Sequence, residues 1–174
     1  MTFIESETIE LKSSVVADLC KEVIAFANTR GGTLYIGVED NGTVIGVDSA
    51  DRVTLQINNM VRDSIKPDIT MFVHYETQVI NDKQIIAVTV QEGTDRPYYL
   101  GSKGLKPSGV YVRNGTSTDP ASDTAIRKMI KETDGDSFET MRSLEQNLSF
   151  QAAEAQFAKR LSLIRISEPT RLDV

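Results

Sequence analysis

The chain reads as a mixed α/β protein in which a mostly antiparallel sheet carries helices packed on it. Three observations predict this. Short segments of period-2 alternation sit beside segments of 3.6-residue periodicity. Two pairs of strand-forming runs are separated by tight-turn residues, Glu39-Asp40-Asn41-Gly42 and Asn81-Asp82. The 174 residues are 40% hydrophobic and 25% charged, enough apolar material for one core but not two full-sized ones.

In chain order, Thr8 to Ser13 alternates, with Ile9 and Leu11 on one face and Glu10 and Lys12 on the other, which predicts a half-buried strand. The period then changes: Val16, Leu19, Cys20, Val23 and Ala27 recur at three and four residues, predicting a helix from Val15 to about Asn28, with Ser13 or Ser14 as N-cap. Gly31 and Gly32 are expected to end it. Thr33 to Val38 and Thr43 to Val47 read as a hairpin. Ala50 to Ile65 reads as a second helix stopped by Pro67. Ile69 to Ile80 and Gln84 to Gln91 read as another antiparallel pair. Gly93 to Gly109, rich in Gly, Pro, Lys and Tyr, is expected to be a surface loop. Val110 to Arg113 is a short strand, Asn114-Gly115 a turn, and Ser122 to Glu132 a helix with Ile126, Met129 and Ile130 inward. Residues 1–132 are thus expected to form one domain. Residues 133–174 are expected to form a linker and helical tail, with helical spacing from Phe138 to Lys159, belonging to a truncated C-terminal region.

One cysteine, Cys20, excludes an internal disulfide, and its apolar neighbours make it a buried small residue. No stretch approaches the length of apolar sequence a membrane span needs, so a cytoplasmic location is expected. The net charge of −6 argues against a polyanion partner, but the average hides an uneven distribution. Residues 1–95 sum to −8, residues 96–131 to +5, and residues 132–174 to −3. Arg96, Lys103, Lys106, Arg113 and Arg127 in the basic stretch are candidate phosphate contacts, and Tyr98 or Tyr99 candidate stacking platforms for bases. A solvated surface explains any one of these charges equally well.

Glu5, Glu10 and Lys12 are close in sequence, and Asp40 follows the next strand. Should these converge, the carboxylates are hard ligands suited to Mg²⁺ or Mn²⁺ and the ammonium could stabilise developing negative charge. The bland alternative is a surface ion pair between Glu10 and Lys12. His74 reads as a plain strand residue.

Four blocks, ESETIELK, AFANTRGGTLYIGVEDNGTVIGV, RPYYLG and GVYVRNGTSTDPAS, together resemble the Schlafen AlbA_2 family, formerly described as a divergent AAA domain and regarded as DNA-binding. The resemblance runs over most of residues 5–131. It implies a nucleic-acid-binding module, DNA or RNA, that needs no cofactor to bind and forms the N-terminal part of a transcription regulator, with homo-oligomers allowed. Animal members similar in this region cleave RNA with a metal. By resemblance, Glu5 and Glu10 fall on their two glutamates, Lys12 on the lysine that follows, and Asp40 on their aspartate, which implies an alternative activity as a Mg²⁺- or Mn²⁺-dependent nuclease. Their zinc site has no counterpart here, where Cys20 and His74 are the sole cysteine and histidine. Two minor alternatives are an ATP-binding domain, which would lack a GxxxxGK[ST] loop since the Gly32 to Gly37 stretch is followed by Val38, and a protein-interaction module without nucleic acid, which an acidic chain allows.

Overall fold

In a computed structural model, the structure of residues 3–134 can be described. The elements run β1 (Ile9–Lys12), α1 (Leu19–Asn28), β2 (Gly32–Ile36), α2 (Ala50–Ser64), β3 (Ile65–Lys66), β4 (Val73–Ile80), β5 (Lys83–Val90), β6 (Tyr99–Leu100), β7 (Tyr111–Asn114), β8 (Ser117–Pro120) and α3 (Asp123–Thr133), with a 3-10 turn at Thr70–Phe72. The expected mixed α and β class holds. The main sheet has the order β1-β2-β5-β4, with β1 and β2 parallel and the other pairs antiparallel. The pairs β3-β6 and β7-β8 form two small sheets beside it.

Register determines which residues share a face. Glu10 lies beside Leu34 and Lys12 beside Ile36, so these polar residues stand on the same face as Leu34 and Ile36. That face is covered by α1 and α2, whose Leu19, Val23, Phe26, Ile57 and Val61 pack with Leu34, Ile36, Ile86 and Val88 into the main core. Leu11, Phe3, Val38 and Ile85 form a smaller cluster around Tyr35 and Ile80. A third cluster gathers Val110, Ala121, Ile126 and Met129 with Tyr99 and Val112, so β6, β7 and α3 make a small module of their own.

The hairpin β4-β5 turns at Asn81 and Asp82, both at positive φ (51° and 61°), as a two-residue turn between twisted strands requires. Ser49 caps α2 and Ser122 caps α3, each side chain accepting from the backbone three residues on. Gly31, at φ 75°, donates to the Phe26 carbonyl and carries the chain from α1 into β2; a Cβ there would lie 2.6 Å from the Val90 carbonyl oxygen. The small buried residue expected at Cys20, on α1, and the strand position expected of His74 are both found.

Several expectations are corrected. Helix α1 starts at Leu19 rather than Val15, with Asp18 rather than Ser13 or Ser14 at its N-cap, because the chain first makes a turn in which Leu19 donates to the Val16 carbonyl. Gly32 opens β2 instead of ending α1. The hairpin after β2 narrows to one bridge, Val38 with Val44: the amides of both Ile45 and Gly46 donate to the Gly37 carbonyl, which bulges the return strand. Ile69 to Phe72 is not strand. The Gly93 to Gly109 stretch is not wholly superficial, since Pro97 and Tyr98 are buried and Tyr99–Leu100 pairs with β3. The expected helix at Phe138 to Lys159 and the tail beyond it lie outside the described residues.

Candidate functional site

The carboxylates of the first strand lead into a buried ionic network instead of an open acidic edge. Glu10 is turned toward the helix-covered face and its side chain is 8% exposed. Its Oε1 takes the Lys12 ammonium, and its Oε2 lies 2.7 Å from Arg113 Nη2. Arg113 reaches in from β7 with a side chain only 1% exposed. Its guanidinium also meets Glu22 of α1 at 3.2 Å, and donates to the carbonyls of Ser6 (2.9 Å) and Ile9 (3.3 Å) and to the Thr118 hydroxyl (3.1 Å). Thr118 on β8 in turn donates to Glu22. A planar fork of donors suits this task, since one cation must serve several acceptors in different directions.

Burial pushes the Glu22 carboxyl above its ordinary value and the Glu10 charge adds to that, while the Thr118 hydroxyl, Lys12 and Arg113 pull the other way. Burial works against the Lys12 ammonium, but the hydrogen bond and charge of Glu10, with Glu22 and Glu5 behind them, raise its pKa. Glu5 accepts weakly from the Leu11 amide at 3.4 Å.

Asp40 is exposed after β2 and, with Glu39, Asn41 and Ser13, lines a shallow hollow of about 400 Å³. Among the described residues, no three His, Cys, Asp or Glu side chains come together closely enough to hold a metal ion. The expected triad of Glu5, Glu10 and Asp40 is therefore not assembled, and Glu10 has both oxygens engaged by cations. The residues present do not fit a bound Mg²⁺ or Mn²⁺ in this arrangement. Period-2 alternation places Glu10 and Lys12 on one face, but which face a third layer covers depends on residues a hundred positions away.

The candidate nucleic-acid contacts divide. Lys103 and Lys106, on the turn-rich loop between β6 and β7, and Arg127 on α3 are exposed and have no acidic partner among the described residues. Arg113 is inside the network and is withdrawn as a phosphate contact. Arg96 is mostly covered and paired with Glu92 (2.9 Å) and Glu132 (3.8 Å). Tyr98 is 0% exposed and is withdrawn as a stacking platform. Its backbone explains why: Asn28, at the end of α1, donates to the carbonyls of Tyr98 and Tyr111 (both 2.9 Å) and accepts from the Tyr98 amide at 2.7 Å. Tyr99 is half-buried against the β7–α3 cluster.

Asn28, Glu22 and Thr118 are the residues that sequence reading missed. Asn28 carried a legible signal, a polar residue at the apolar end of a helix, directly before Thr29-Arg30-Gly31-Gly32. Glu22 and Thr118 carried none, being ordinary polar residues until the fold closes.

A βαβ unit continued by antiparallel strands, with a charged network where its first strand meets a late hairpin, defines a mixed α+β domain. The model of the Schlafen AlbA_2 family matches residues 5–122, and the chain belongs to that family. Among solved structures it is similar to the N-terminal domain of an ATP-dependent DNA helicase RecG-related protein from Nitrosomonas europaea, at 28% identity and TM-score 0.48, over 63% of this chain and 79% of that one. It is also similar to the DIP2311 protein from Corynebacterium diphtheriae, at 17% identity and TM-score 0.54, over 73% of this chain; the match spans 24% of that protein. The second likeness supports the fold. No curated protein matches the chain. No described helix is long and apolar enough to cross a membrane.

Proposed function

We propose that this AlbA_2 domain grips nucleic acid through exposed cations of its late module, with no metal ion in the grip. The observation that carries the reading is the contrast within residues 96–131: Arg113 is consumed by the buried carboxylates of Glu10 and Glu22 and Arg96 is paired with Glu92 and Glu132 at the surface, whereas Lys103, Lys106 and Arg127 stand in solvent without acidic partners among the described residues. Unpaired surface cations are the groups that displace condensed counterions from a phosphate backbone. Arg113 contributes indirectly. By tying β7 to Glu10 of β1 and Glu22 of α1 it holds the module bearing those cations against the first strand. Phosphate contacts position a protein but carry no sequence information, so in a transcription regulator this domain would supply affinity and another segment the choice of site.

Fluorescence anisotropy on duplex and single-stranded DNA and RNA across a salt series tests the reading. The affinity is expected to fall steeply with salt. Replacing Lys103, Lys106 and Arg127 together by alanine is expected to flatten the log–log slope by roughly two to three, for three lost phosphate contacts. A flat salt response in the native chain, or an unchanged slope in the triple variant, refutes it. Shortening of the substrate on adding Mg²⁺ or Mn²⁺ would instead support hydrolysis involving Glu5, Glu10 and Asp40.

A further inference from the structure

The two edges of the main sheet are treated differently. On β1, outward backbone groups are engaged: Ile9 bridges the backbone of Ser6, its carbonyl also accepts from Arg113, and the Leu11 amide donates to Glu5. Such occupation blunts an edge against another strand. Among the described residues, strand β4 has no such cover. The Asn81-Asp82 turn makes Ile80 and Lys83 the first paired residues of the hairpin, so the even-numbered residues of β4 bond to β5. The same alternation has the Phe72 carbonyl accept from Gln91 and the Gln84 carbonyl face away from β4, toward Val47. The amides and carbonyls of Tyr75, Thr77 and Val79 therefore point outward. Among the described residues none of the three has a hydrogen-bond partner there, while the Val73 amide is already taken by the Thr70 carbonyl.

We infer that β4 is a self-pairing edge, and that two copies of this chain join antiparallel along it, about a twofold axis at Thr77, into one eight-stranded sheet. The register follows from the strand itself. Centring on Thr77 sets Thr77 against Thr77, and Tyr75 against Val79 of the second copy on either side, so all three outward residues of each chain are used. Glu76, the one acidic residue of β4, then faces Gln78, whose amide already donates to Glu76 within its own strand at 2.8 Å. Centring one residue earlier would oppose Glu76 to Glu76, a like-charge pair, and would call on the occupied Val73 amide. Val79, 65% exposed on the single chain, would gain the Tyr75 side of the second copy as cover. The strand carries no proline, lysine or bulge of the kind that guards a free edge.

Thr77→Pro tests this selectively. Proline removes the outward amide at the centre and leaves the bonds of Glu76 and Gln78 to β5 intact. Sedimentation of the full chain is expected to show a concentration-dependent species of twice the chain mass. Two backbone hydrogen bonds per dimer are lost in the variant, so its dissociation constant is expected to rise roughly tenfold or more. Val79→Lys places a charge on the edge without touching the β5 ladder and is expected to weaken the pair as well, which decides the matter should the proline variant fold poorly. Amide exchange on the unaltered chain gives a third reading: Tyr75, Thr77 and Val79 become protected only at concentrations where the larger species forms. A chain that remains monomeric at several hundred micromolar overturns the inference, as does a dimer in which those three amides still exchange freely.

Discussion

Replacing Arg113 by methionine keeps most of the side-chain volume and removes the cation from a place where its side chain is 1% exposed. Two carboxylates, Glu10 at 2.7 Å and Glu22 at 3.2 Å, then lose their counter-charge, and the carbonyls of Ser6 and Ile9 lose a donor. Breaking a buried pair from one side leaves an uncompensated charge and costs about 3–5 kcal/mol. Lys12 still serves Glu10, so the lower half of that range is expected. For a domain of this size the loss corresponds to a fall in Tm of roughly 10 °C. The pH dependence separates this cause from simple loss of packing. Burial already holds the Glu22 carboxyl above its ordinary value of 4.5, and without Arg113 it must rise further. A carboxyl whose folded pKa exceeds its unfolded one keeps its proton in the native state at pH values where the unfolded chain has released it. The stability from that protonation is therefore complete below the unfolded value and is lost as pH rises through the folded one. The deficit of Arg113→Met against the native chain should accordingly be largest near neutral pH and shrink as the pH falls toward 4.5. Urea unfolding of both proteins across that interval measures it. A deficit below about 1 kcal/mol at pH 7, or one independent of pH, would refute the ionic account, since surface pairs are worth no more than that.

Asn28→Ala leaves the Tyr98 amide and the Tyr98 and Tyr111 carbonyls without their partner, and is expected to cost about 3 kcal/mol in urea unfolding. Gly42→Ala places a Cβ 2.4 Å from the Phe3 carbonyl oxygen at φ 84°, and a loss of about 2 kcal/mol is expected by the same measurement. Cys20 is 3% exposed and burial pushes its thiol up, so a thiol reagent should label it only on unfolding; rapid labelling of the native chain would contradict that placement.

Much of the fold was legible because its signals are local. The helix at Ala50–Ser64 carried its own cap and stop, and the β4-β5 turn its own pair of turn residues. The start of α1 was misplaced because Val15 and Val16 continue the apolar spacing while the backbone, still turning, does not yet follow it. The site was less legible. Arg113, Arg96 and Tyr98 looked like surface groups in a polar, glycine-rich stretch, and each is instead held by residues at the far end of the domain or on another element.

What the sequence determined by itself was the class of fold, the order of its elements, the family, and the uneven division of charge, since each depends on the kinds of residue and their spacing along the chain. The fate of individual charges was settled by packing between distant segments. A guanidinium is the same group wherever it falls; whether it meets a phosphate in solvent or a carboxylate in the interior depends on which layer covers it. Here β7 packs over α1 and carries Arg113 onto Glu10 and Glu22, while Lys103, Lys106 and Arg127 are left in water.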